Sequence, residues 1–362
     1  MLETPHGVFE TPAFMPVATQ ATVKAISSED IDSLGVRGIL ANSYHLYLRP
    51  GTTVVKAAGG LHKFMAYDGM ILTDSGGFQV LSLSDLRKIS DEGVVFRSHI
   101  DGSEHKLTPE TVINVQADLN SDCWTTLDEC PPYPATEAVA REALVRTMAW
   151  TDRSVHAFKI HQDRGAKNLF FPILQGSLYP HLRREAAEHM ATVPADGISI
   201  GGFMVGETKP HTWEVLEQTT RVLPENKPRY LMGVGTPEDL WDSVALGIDM
   251  MDCVWPTRVA RNGQILTRRG KYNVTNQRFR QDFLPLEPGC SCFVCKRYSR
   301  AYLGHIYRCK ELLSYRLLSY HNLHVMHDIA GEIRRAILED RFEESRKAFF
   351  TTFREADAQK LR

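Results

Sequence analysis

Eight short apolar segments recur along the chain, and most of them precede a stretch of helical character. Strands that are apolar along their whole length are typical of a parallel sheet covered on both faces. Eight alternations of strand and helix predict an α/β protein with a (β/α)8 TIM barrel, and a doubly wound open sheet is the alternative. The segments are Ala13 to Ala18, Gly38 to Asn42, Met70 to Asp74, Asp122 to Asp128, Leu169 to Gln175, Gly197 to Gly202, Arg229 to Gly233 and Asp249 to Cys253.

Two longer excursions interrupt this alternation and divide the chain. Ser75 to Leu107 is longer than a barrel loop needs and contains a predicted hairpin around Val94 to Gly102. Residues 256–324 follow the eighth strand and predict an inserted subdomain with a metal loop and a basic segment. Residues 1–255 are then the barrel, and residues 325–362, which have helical character, are its closing helix.

Three cysteines within six residues, Cys290, Cys292 and Cys295, predict a zinc site. A tight loop can bring three thiolates to one ion, and a distant histidine, His321, is the predicted fourth ligand. Four protein ligands leave no position for a substrate, so we predict a structural role. Spacing alone leaves other side chains of the region open as fourth ligand, namely His305, Cys309, His324 and His327.

The composition narrows the class of protein and its compartment. Hydrophobic residues make up 43% and charged residues 24% of the chain, as in ordinary globular proteins. The sequence predicts neither a leader nor a membrane-spanning segment. Three of the seven cysteines lie in the metal loop, so we expect no disulfide framework and a cytoplasmic location. The net charge of −2 requires a polyanionic partner to meet a local basic patch.

Acidic residues stand at the carboxyl ends of three predicted strands, where the active sites of barrels lie. Asp74 and Asp128 end their apolar segments, and Asp252 lies one residue before the end of its segment. A carboxylate there is unfavourable unless it is paired or has a function. Displacement at the anomeric carbon of a sugar uses two carboxylates, one that attacks and one that manages the proton of the leaving group. The aspartates therefore predict sugar-transfer chemistry.

Other residues at the same strand ends fit a flat heterocycle. Phe78 lies just beyond Asp74, and Met232 lies at the end of the seventh apolar segment, so their side chains are predicted to sandwich a ring. Asp128 would accept from an amino group of that ring, and Gln175 would read a carbonyl. The alternative is that Phe78 and Met232 are ordinary core residues.

A basic run follows the last of these aspartates in a chain of near-zero net charge. Such a run beside an active site is typical of contact with a phosphate backbone, and a solvated surface is the alternative. The run contains Arg258, Arg261, Arg268, Arg269, Lys271, Arg278 and Arg280, and Lys296, Arg297 and Arg300 follow beside the metal loop.

Short motifs connect these residues along nearly the whole chain. They are Asn42 to Leu46, Thr73 to Gln79, Asp128-Glu129-Cys130, Gln175-Gly176-Ser177, Gly201-Gly202 with Gly206-Glu207, Tyr230 to Gly235, Met251-Asp252-Cys253 with Pro256-Thr257-Arg258, and the metal loop. In type and order these motifs resemble those of the tRNA-guanine transglycosylases. The resemblance is to the bacterial branch rather than to archaeal members, which carry an added C-terminal RNA-binding domain.

The resemblance implies an irregular (β/α)8 barrel with a zinc subdomain and a specific reaction. Family members exchange the wobble guanine in the anticodon loop of tRNAs for Asp, Asn, His and Tyr. In bacteria the incoming base is 7-aminomethyl-7-deazaguanine, on the way to queuosine. By this resemblance Asp252 is the nucleophile on the ribose and Asp74 is the general acid/base.

The remaining site residues are carried over in the same way. The matching positions imply that Asp128, Gln175 and the Gly202 amide bind guanine and that Phe78 and Met232 stack on its faces. The Phe203 carbonyl, oriented by Glu207, would accept from the aminomethyl group. The implied zinc ligands are Cys290, Cys292, Cys295 and His321. Arg258, Arg261, Arg268 and Arg269 would face the tRNA. Members of the family form homodimers that pack through the zinc subdomain. The matching positions in this sequence are Leu46, Tyr298, Tyr302 and His305.

Two regions depart from the family pattern. The chain begins almost at its Thr4-Pro5-His6-Gly7 motif, so we expect the first hairpin, which covers the barrel floor, to be short or missing. Phe203-Met204 stands where small or aliphatic residues are common, which changes the wall for the incoming base. Val205 resembles the bacterial residue that narrows the pocket and favours the small precursor over queuine.

Two other functions compete with this interpretation. A barrel glycosidase acting on free nucleosides or sugars would work without RNA and would not need the basic run. A non-catalytic RNA-binding subunit would lack parts of the acid set, whereas Asp74, Asp128 and Asp252 are all present.

Overall fold

The computed structural model describes residues 1–83 and 87–360, and all eight apolar segments form strands in it. We number these barrel strands one to eight. They span Ala13–Ala18, Gly38–Asn42, Met70–Asp74, Cys123–Thr125, Leu169–Phe171 with Ile173–Leu174, Ile198–Ile200, Arg229–Leu231 and Met250–Cys253.

The eight strands form one parallel sheet that closes on itself. Strand one pairs with strand eight, with Ala13 opposite Met250. Strand five is broken at Pro172, which has no N–H to donate to a ladder. Its first half pairs with strand four, and its second half pairs with strand six, with Leu174 opposite Ile200. Because the two ends of the sheet are halves of one strand, the fold is the predicted TIM barrel and not an open sheet.

Helices follow the strands and cover the outside of the sheet. The capping residues Thr108 and Thr236 begin their helices by accepting from the N–H groups of Thr111 and Asp239. No helix among the described residues is both long and apolar enough to cross a membrane. The helices are Ser28–Ser33, Ser43–Leu48, Thr52–Ala57, Leu61–Met65, Gly77–Leu83, Pro109–Leu119, Glu137–Asp163, Pro180–Thr192, Lys209–Thr220, Pro237–Ala245, Trp255–Arg261, Phe293–Arg297, Arg300–Arg308, Leu312–Leu338 and Phe342–Lys360, with a 3-10 helix at Gln277–Phe279.

The first excursion forms a small antiparallel sheet beside the barrel mouth. The predicted hairpin is present as Gly93–Arg97 paired with Glu104–Leu107. A further strand, Arg87–Ser90, pairs with the first of these and was not predicted. This strand is mostly exposed and carries two basic residues, so it lacks the apolar pattern that identified the other strands.

The expected short hairpin lies at the amino end of the barrel. Leu2–Thr4 pairs with Gly7–Phe9, and the side chains of Leu2 and Phe9 are buried with the lowest layer of barrel residues. Phe9 packs closely on the backbone of Gly38, where an added Cβ would lie 2.4 Å from its ring. The hairpin is therefore present and closes the barrel floor.

A long helix joins the inserted subdomain to the barrel. Leu312–Leu338 runs through the predicted boundary between residues 324 and 325, so both regions share it. On the subdomain side, Asn322 accepts from Leu266 N and donates to Pro256 O and Gln264 O. On the barrel side, Arg316 forms two hydrogen bonds to the Asp30 carboxylate. The helix holds the two regions in one arrangement.

Candidate active site and metal centre

The fold brings the three predicted aspartates to one barrel mouth. Asp74 ends strand three, Asp252 lies in strand eight, and Asp128 follows strand four by three residues. Each exposes only 5–7% of its surface. Their charges act on one another, because Asp252 and Asp128 both raise the pKa of Asp74. The predicted acid set is therefore a single buried cluster.

Asp252 is held by two hydrogen bonds on one of its oxygens. Tyr230 OH donates to Oδ1 at 2.5 Å, and Gly233 N–H donates to the same atom at 2.8 Å. Burial raises the pKa of Asp252, and the two donors oppose that rise by favouring the ionised form. Among the described residues no donor occupies Oδ2, which leaves that oxygen for reaction with a ligand.

Asp74 has a different environment, although it also accepts two hydrogen bonds. Asn42 Nδ2 donates to Oδ2 at 2.5 Å, and Ser43 N–H donates to Oδ1 at 3.1 Å. Burial, with the negative charges of Asp252 and Asp128, raises the pKa of Asp74 to about 8. Asp74 is therefore protonated at neutral pH and can donate a proton, whereas a free aspartate cannot.

Asp128 and Gln175 form the polar edge next to this pair. Gln175 Nε2 donates to Asp128 Oδ2 at 2.7 Å, and Ser75 Oγ donates to Asp128 Oδ1 at 3.0 Å. Burial raises the pKa of Asp128. Gly77 makes this approach possible, because an added Cβ would lie 2.6 Å from Asp128 O. Gln175 Oε1 is buried without a hydrogen-bond partner among the described residues, so this edge has unused binding capacity.

The loop after strand six is fixed by a carboxylate. Glu207 Oε1 accepts from Met204 N–H at 2.5 Å, and Glu207 Oε2 accepts from Val205 N–H at 2.9 Å. Met204 has a left-handed backbone with φ of 57°. Since the N–H of a trans peptide points opposite to its carbonyl, these contacts direct the Phe203 carbonyl away from Glu207.

The two predicted stacking residues differ from the core residues around them. Phe78 is 49% exposed, and Met232 is partly exposed. Side chains with only a core role would be buried. The exposure of Phe78 and Met232 at the barrel mouth instead allows each of them to stack against a flat ring. Phe203, in contrast, is buried and lies 3.9 Å from the guanidinium of Arg183.

Several residues of the site were not identified from the sequence. Tyr230 and Asn42, which hold the two reactive aspartates, lie inside motifs that were recognised, but their roles depend on cross-strand neighbours. Arg183 is fully buried beneath the loop after strand six. In the sequence it sits in a charged helical segment and has the appearance of a surface residue. Only the fold reveals it.

The inserted subdomain gathers the four predicted metal ligands. The sulfur atoms of Cys290, Cys292 and Cys295 lie 3.9, 3.5 and 3.4 Å from His321 Nδ1. A tetrahedral site with bonds of about 2.0–2.3 Å separates its ligand atoms by roughly 3.3–3.8 Å. His321 Nε2 contacts Leu266 O at 2.9 Å, which leaves Nδ1 to face the sulfur atoms. The cluster can therefore hold a metal ion, and it selects His321 from the candidate fourth ligands.

Comparisons with known proteins give the family. A family model described as queuine tRNA-ribosyltransferase matches residues 1–355. A protein with that name from Caldanaerobacter subterraneus is 52% identical over 353 residues, which are 98% of this chain and 93% of the relative. Another from Desulforudis audaxviator is 53% identical over 348 residues, which are 96% and 92% of the two chains. The chain belongs to the queuine tRNA-ribosyltransferase family.

Membership of the queuine tRNA-ribosyltransferase family confirms the resemblance read from the motifs. It also makes the chain a pentosyltransferase, as predicted. Sugar transfer agrees with a barrel mouth that holds two buried carboxylates with different hydrogen-bond donors.

The basic segment begins next to the candidate active site of this family member. Helix Trp255–Arg261 follows strand eight directly and carries Arg258, which is exposed. Arg269 is also exposed, and Arg261 is partly buried. Arg268 differs from them, because its guanidinium pairs with Asp328 at 2.8 Å and Glu332 at 2.5 Å.

Proposed function

We propose that the protein exchanges the wobble guanine of tRNAs for Asp, Asn, His and Tyr for 7-aminomethyl-7-deazaguanine, in queuosine biosynthesis. The observation that carries this proposal is the pair of buried carboxylates at one mouth. Burial and neighbouring carboxylates raise the pKa of Asp74 to about 8, and one oxygen of Asp252 has no donor among residues 1–83 and 87–360. The names of the relatives support tRNA as the substrate.

The two carboxylates divide the reaction between them. Asp252 Oδ2 attacks the anomeric carbon of the ribose, and the bond to guanine breaks as the new ester bond forms. Asp74 gives its proton to the departing purine and recovers one when the incoming base attacks. Both steps exchange one bond at the anomeric carbon for another, so the RNA stays attached to Asp252 between them.

The neighbouring residues bind the base. Asp128 accepts from the ring and exocyclic N–H groups, and Gln175 with the Gly202 amide contacts the carbonyl. Phe78 and Met232 stack on the two faces, as their exposure allows. The Phe203 carbonyl, directed away from Glu207, accepts from the aminomethyl group. Val205 narrows the same wall and favours the small base over queuine.

The remaining proposals concern the rest of the molecule. We propose that the four-residue cluster binds zinc and that its role is structural, because all four positions are protein ligands. Arg258, Arg261, Arg268 and Arg269 would contact the anticodon loop. A homodimer through the zinc subdomain is supported by the stacked rings of partly buried Tyr298 and exposed Tyr302, whose centres lie 5.4 Å apart. The cytoplasmic location stays a prediction.

The test follows the bond from Asp252 to the ribose. Unmodified tRNA-Tyr transcript is incubated with labelled guanine or 7-aminomethyl-7-deazaguanine, and incorporation is read by mass spectrometry. We expect Asp252→Ala to lower exchange by at least about 10³-fold while RNA binding is retained. A denaturing gel of the wild type should contain a protein–RNA adduct that the variant lacks.

The matched control is Asp249→Asn, three residues before Asp252 and directly before strand eight. Among the described residues, the Asp249 side chain accepts a hydrogen bond only from Arg229 N–H, so this variant should keep exchange and adduct. Normal exchange by Asp252→Ala would remove the nucleophile assignment. Activity on free nucleosides without RNA would favour the glycosidase instead.

A further inference from the structure

Arg183 is a buried cation directly beneath the base site. It lies in helix Pro180–Thr192 and exposes none of its surface. Its Nε donates to Ser177 O at 2.8 Å, and its Nη1 donates to Gly201 O at 2.8 Å. No carboxylate among the described residues forms a salt bridge with it. A buried charge without a direct counter-ion is costly, so a structural role alone explains it poorly.

The contact to Gly201 connects Arg183 to the face that receives the base. The Gly201 carbonyl and the Gly202 N–H belong to the same peptide unit, and in a trans peptide they point in opposite directions. With its carbonyl held by Arg183 below, that peptide turns its N–H away from the guanidinium. Among the described residues no acceptor takes the Gly202 N–H, which leaves this donor for a ligand.

A charged donor on a carbonyl also changes the peptide itself. Hydrogen bonds to ionised groups are about twice as strong as neutral ones, and chains of hydrogen bonds polarise one another. A guanidinium on the Gly201 carbonyl therefore makes the Gly202 N–H a stronger donor. The benefit is largest where negative charge develops during the reaction, as it does on the carbonyl oxygen of a departing purine.

The surroundings of Gly202 add an independent observation. Arg183 Nη2 and Gln175 Oε1 are both buried without a hydrogen-bond partner among the described residues. Both flank Gly202, since an added Cβ there would lie 3.1 Å from Nη2 and 2.4 Å from Oε1. A buried polar atom without a partner needs an explanation, and a catalytic role is one of them. A side chain at position 202 would displace Gln175 Oε1 and crowd Arg183 Nη2.

We propose that Arg183 is a positioning residue for the purine carbonyl, acting through the Gly201–Gly202 peptide. It orients the Gly202 N–H toward the carbonyl oxygen of the base and strengthens that donor as the glycosidic bond breaks. The ring of Phe203, 3.9 Å from the guanidinium, completes the support beneath the pocket. The inference rests on the proposed base site. It adds that Arg183 makes this site prefer a base with a carbonyl at this position.

The experiment compares two free bases in the absence of RNA. Guanine has the carbonyl oxygen, and the fluorescent base 2-aminopurine lacks it together with the adjacent ring N–H. 2-Aminopurine is titrated by fluorescence, and guanine is measured by its displacement. In Arg183→Met we expect guanine to bind about tenfold or more weakly, with 2-aminopurine changed less than about threefold. A purely structural defect would weaken the binding of both bases to the same extent.

Two further variants complete the test. Arg184→Met is the matched control, because Arg184 is the next residue of the same helix and is exposed, so both affinities should stay at the wild-type values. Arg183→Lys keeps the charge but not the forked geometry, and its loss of guanine preference should be intermediate.

The outcomes separate this inference from the proposed function. The inference would be overturned if a folded Arg183 variant bound both bases more weakly by the same factor, or if neither affinity changed. Unfolding of both Arg183→Met and Arg183→Lys would also count against it, because Arg183 would then serve the fold. Failure of the wild type to exchange guanine into tRNA would remove the proposed function, whatever the base affinities show.

Discussion

Asp74 and Asp252 are both buried, but their hydrogen bonds and neighbouring charges fit them for different tasks. Within the described part of the chain, Asp252 has two donors on one oxygen and none on the other, which favours the ionised form and leaves one oxygen free to attack. Asp74 carries the added effect of two nearby carboxylates, which keep its proton in place up to about pH 8. These environments suit Asp74 to donate a proton and Asp252 to attack.

This difference predicts the pH dependence of exchange. Above about pH 8 Asp74 loses its proton, so we expect kcat/KM for guanine exchange to fall about tenfold per pH unit there. The rate should also fall at acidic pH, where Asp252 takes up a proton. The measurement is a pH profile of labelled-guanine exchange into a tRNA transcript. A profile that stays flat from pH 7 to 10 would remove Asp74 as the acid.

The same pKa can be checked through stability. Between the unfolded value of 3.8 and about 8, native Asp74 keeps a proton that the unfolded chain releases, so this group lowers stability as pH rises. Asp74→Asn removes the effect. Its gain in unfolding free energy over the wild type should therefore grow from pH 5 to pH 8, reaching about 2–5 kcal/mol. A difference in unfolding free energy between Asp74→Asn and the wild type that does not depend on pH would contradict the raised pKa.

The residues that the sequence revealed share a visible signal. Polar side chains such as Asp74 and Gln175 end apolar segments, and that position is unusual enough to indicate function. Arg183 has no such signal, because its helix contains other charged residues and an arginine there is ordinary. Tyr230 was part of a recognised motif, but its contact to Asp252 depends on the pairing of strands seven and eight.

At the scale of elements, the helix Leu312–Leu338 contributes most to the arrangement of the inserted subdomain. It carries the predicted metal ligand His321 and, one residue later, Asn322, which forms hydrogen bonds with the backbone of residues 256–266. The sequence predicts a closing helix over residues 325–362 from the helical character of that stretch. In the structure the helix already begins at Leu312, so it crosses the predicted boundary and serves both regions.

The metal cluster predicts a specific loss on substitution. Cys292 is both a predicted ligand and the capping residue of helix Phe293–Arg297, where its sulfur accepts from Cys295 N–H at 3.3 Å. We expect Cys292→Ser to reduce bound zinc from about one ion per chain to near zero. Binding to structural zinc sites contributes on the order of 10 kcal/mol in small modules, so unfolding should occur at a lower temperature.

The control for this substitution is Cys309→Ser. Cys309 is exposed and lies outside the cluster, so its removal should leave the metal content and the unfolding temperature unchanged. Metal content is measured by plasma mass spectrometry on purified protein. Wild-type zinc content in Cys292→Ser would show that this thiolate is not a ligand.

At the scale of the whole molecule, the two ends of the barrel have separate tasks. The carboxyl end holds the candidate active site, and the amino end is closed by the hairpin of Leu2–Thr4 and Gly7–Phe9. Asp122, just before strand four, ties this closure together. Its carboxylate accepts from Ile71 N–H at 2.7 Å and contacts His6 at 2.6 Å and His62 at 3.0 Å. The two imidazole rings stack with centres 3.4 Å apart, so both reach the same carboxylate.

The closure of the floor should therefore depend on the charge of Asp122. Burial favours its neutral form, but the hydrogen bonds from His62, His6 and the Ile71 N–H outweigh burial and lower its pKa. A lowered pKa means that the stabilisation is present above the unfolded value of 3.8 and is lost as pH falls through the lower folded value. At pH 7 we expect Asp122→Asn to lose about 3 kcal/mol of unfolding free energy, and the difference from the wild type should shrink below about pH 4.

Asp118→Asn is the matched control, since its pair with exposed Lys56 should contribute less than about 1 kcal/mol. Exchange activity at low temperature should persist in folded Asp122→Asn, because the floor lies at the far end of the barrel from Asp252, and a selective loss of exchange would contradict that separation.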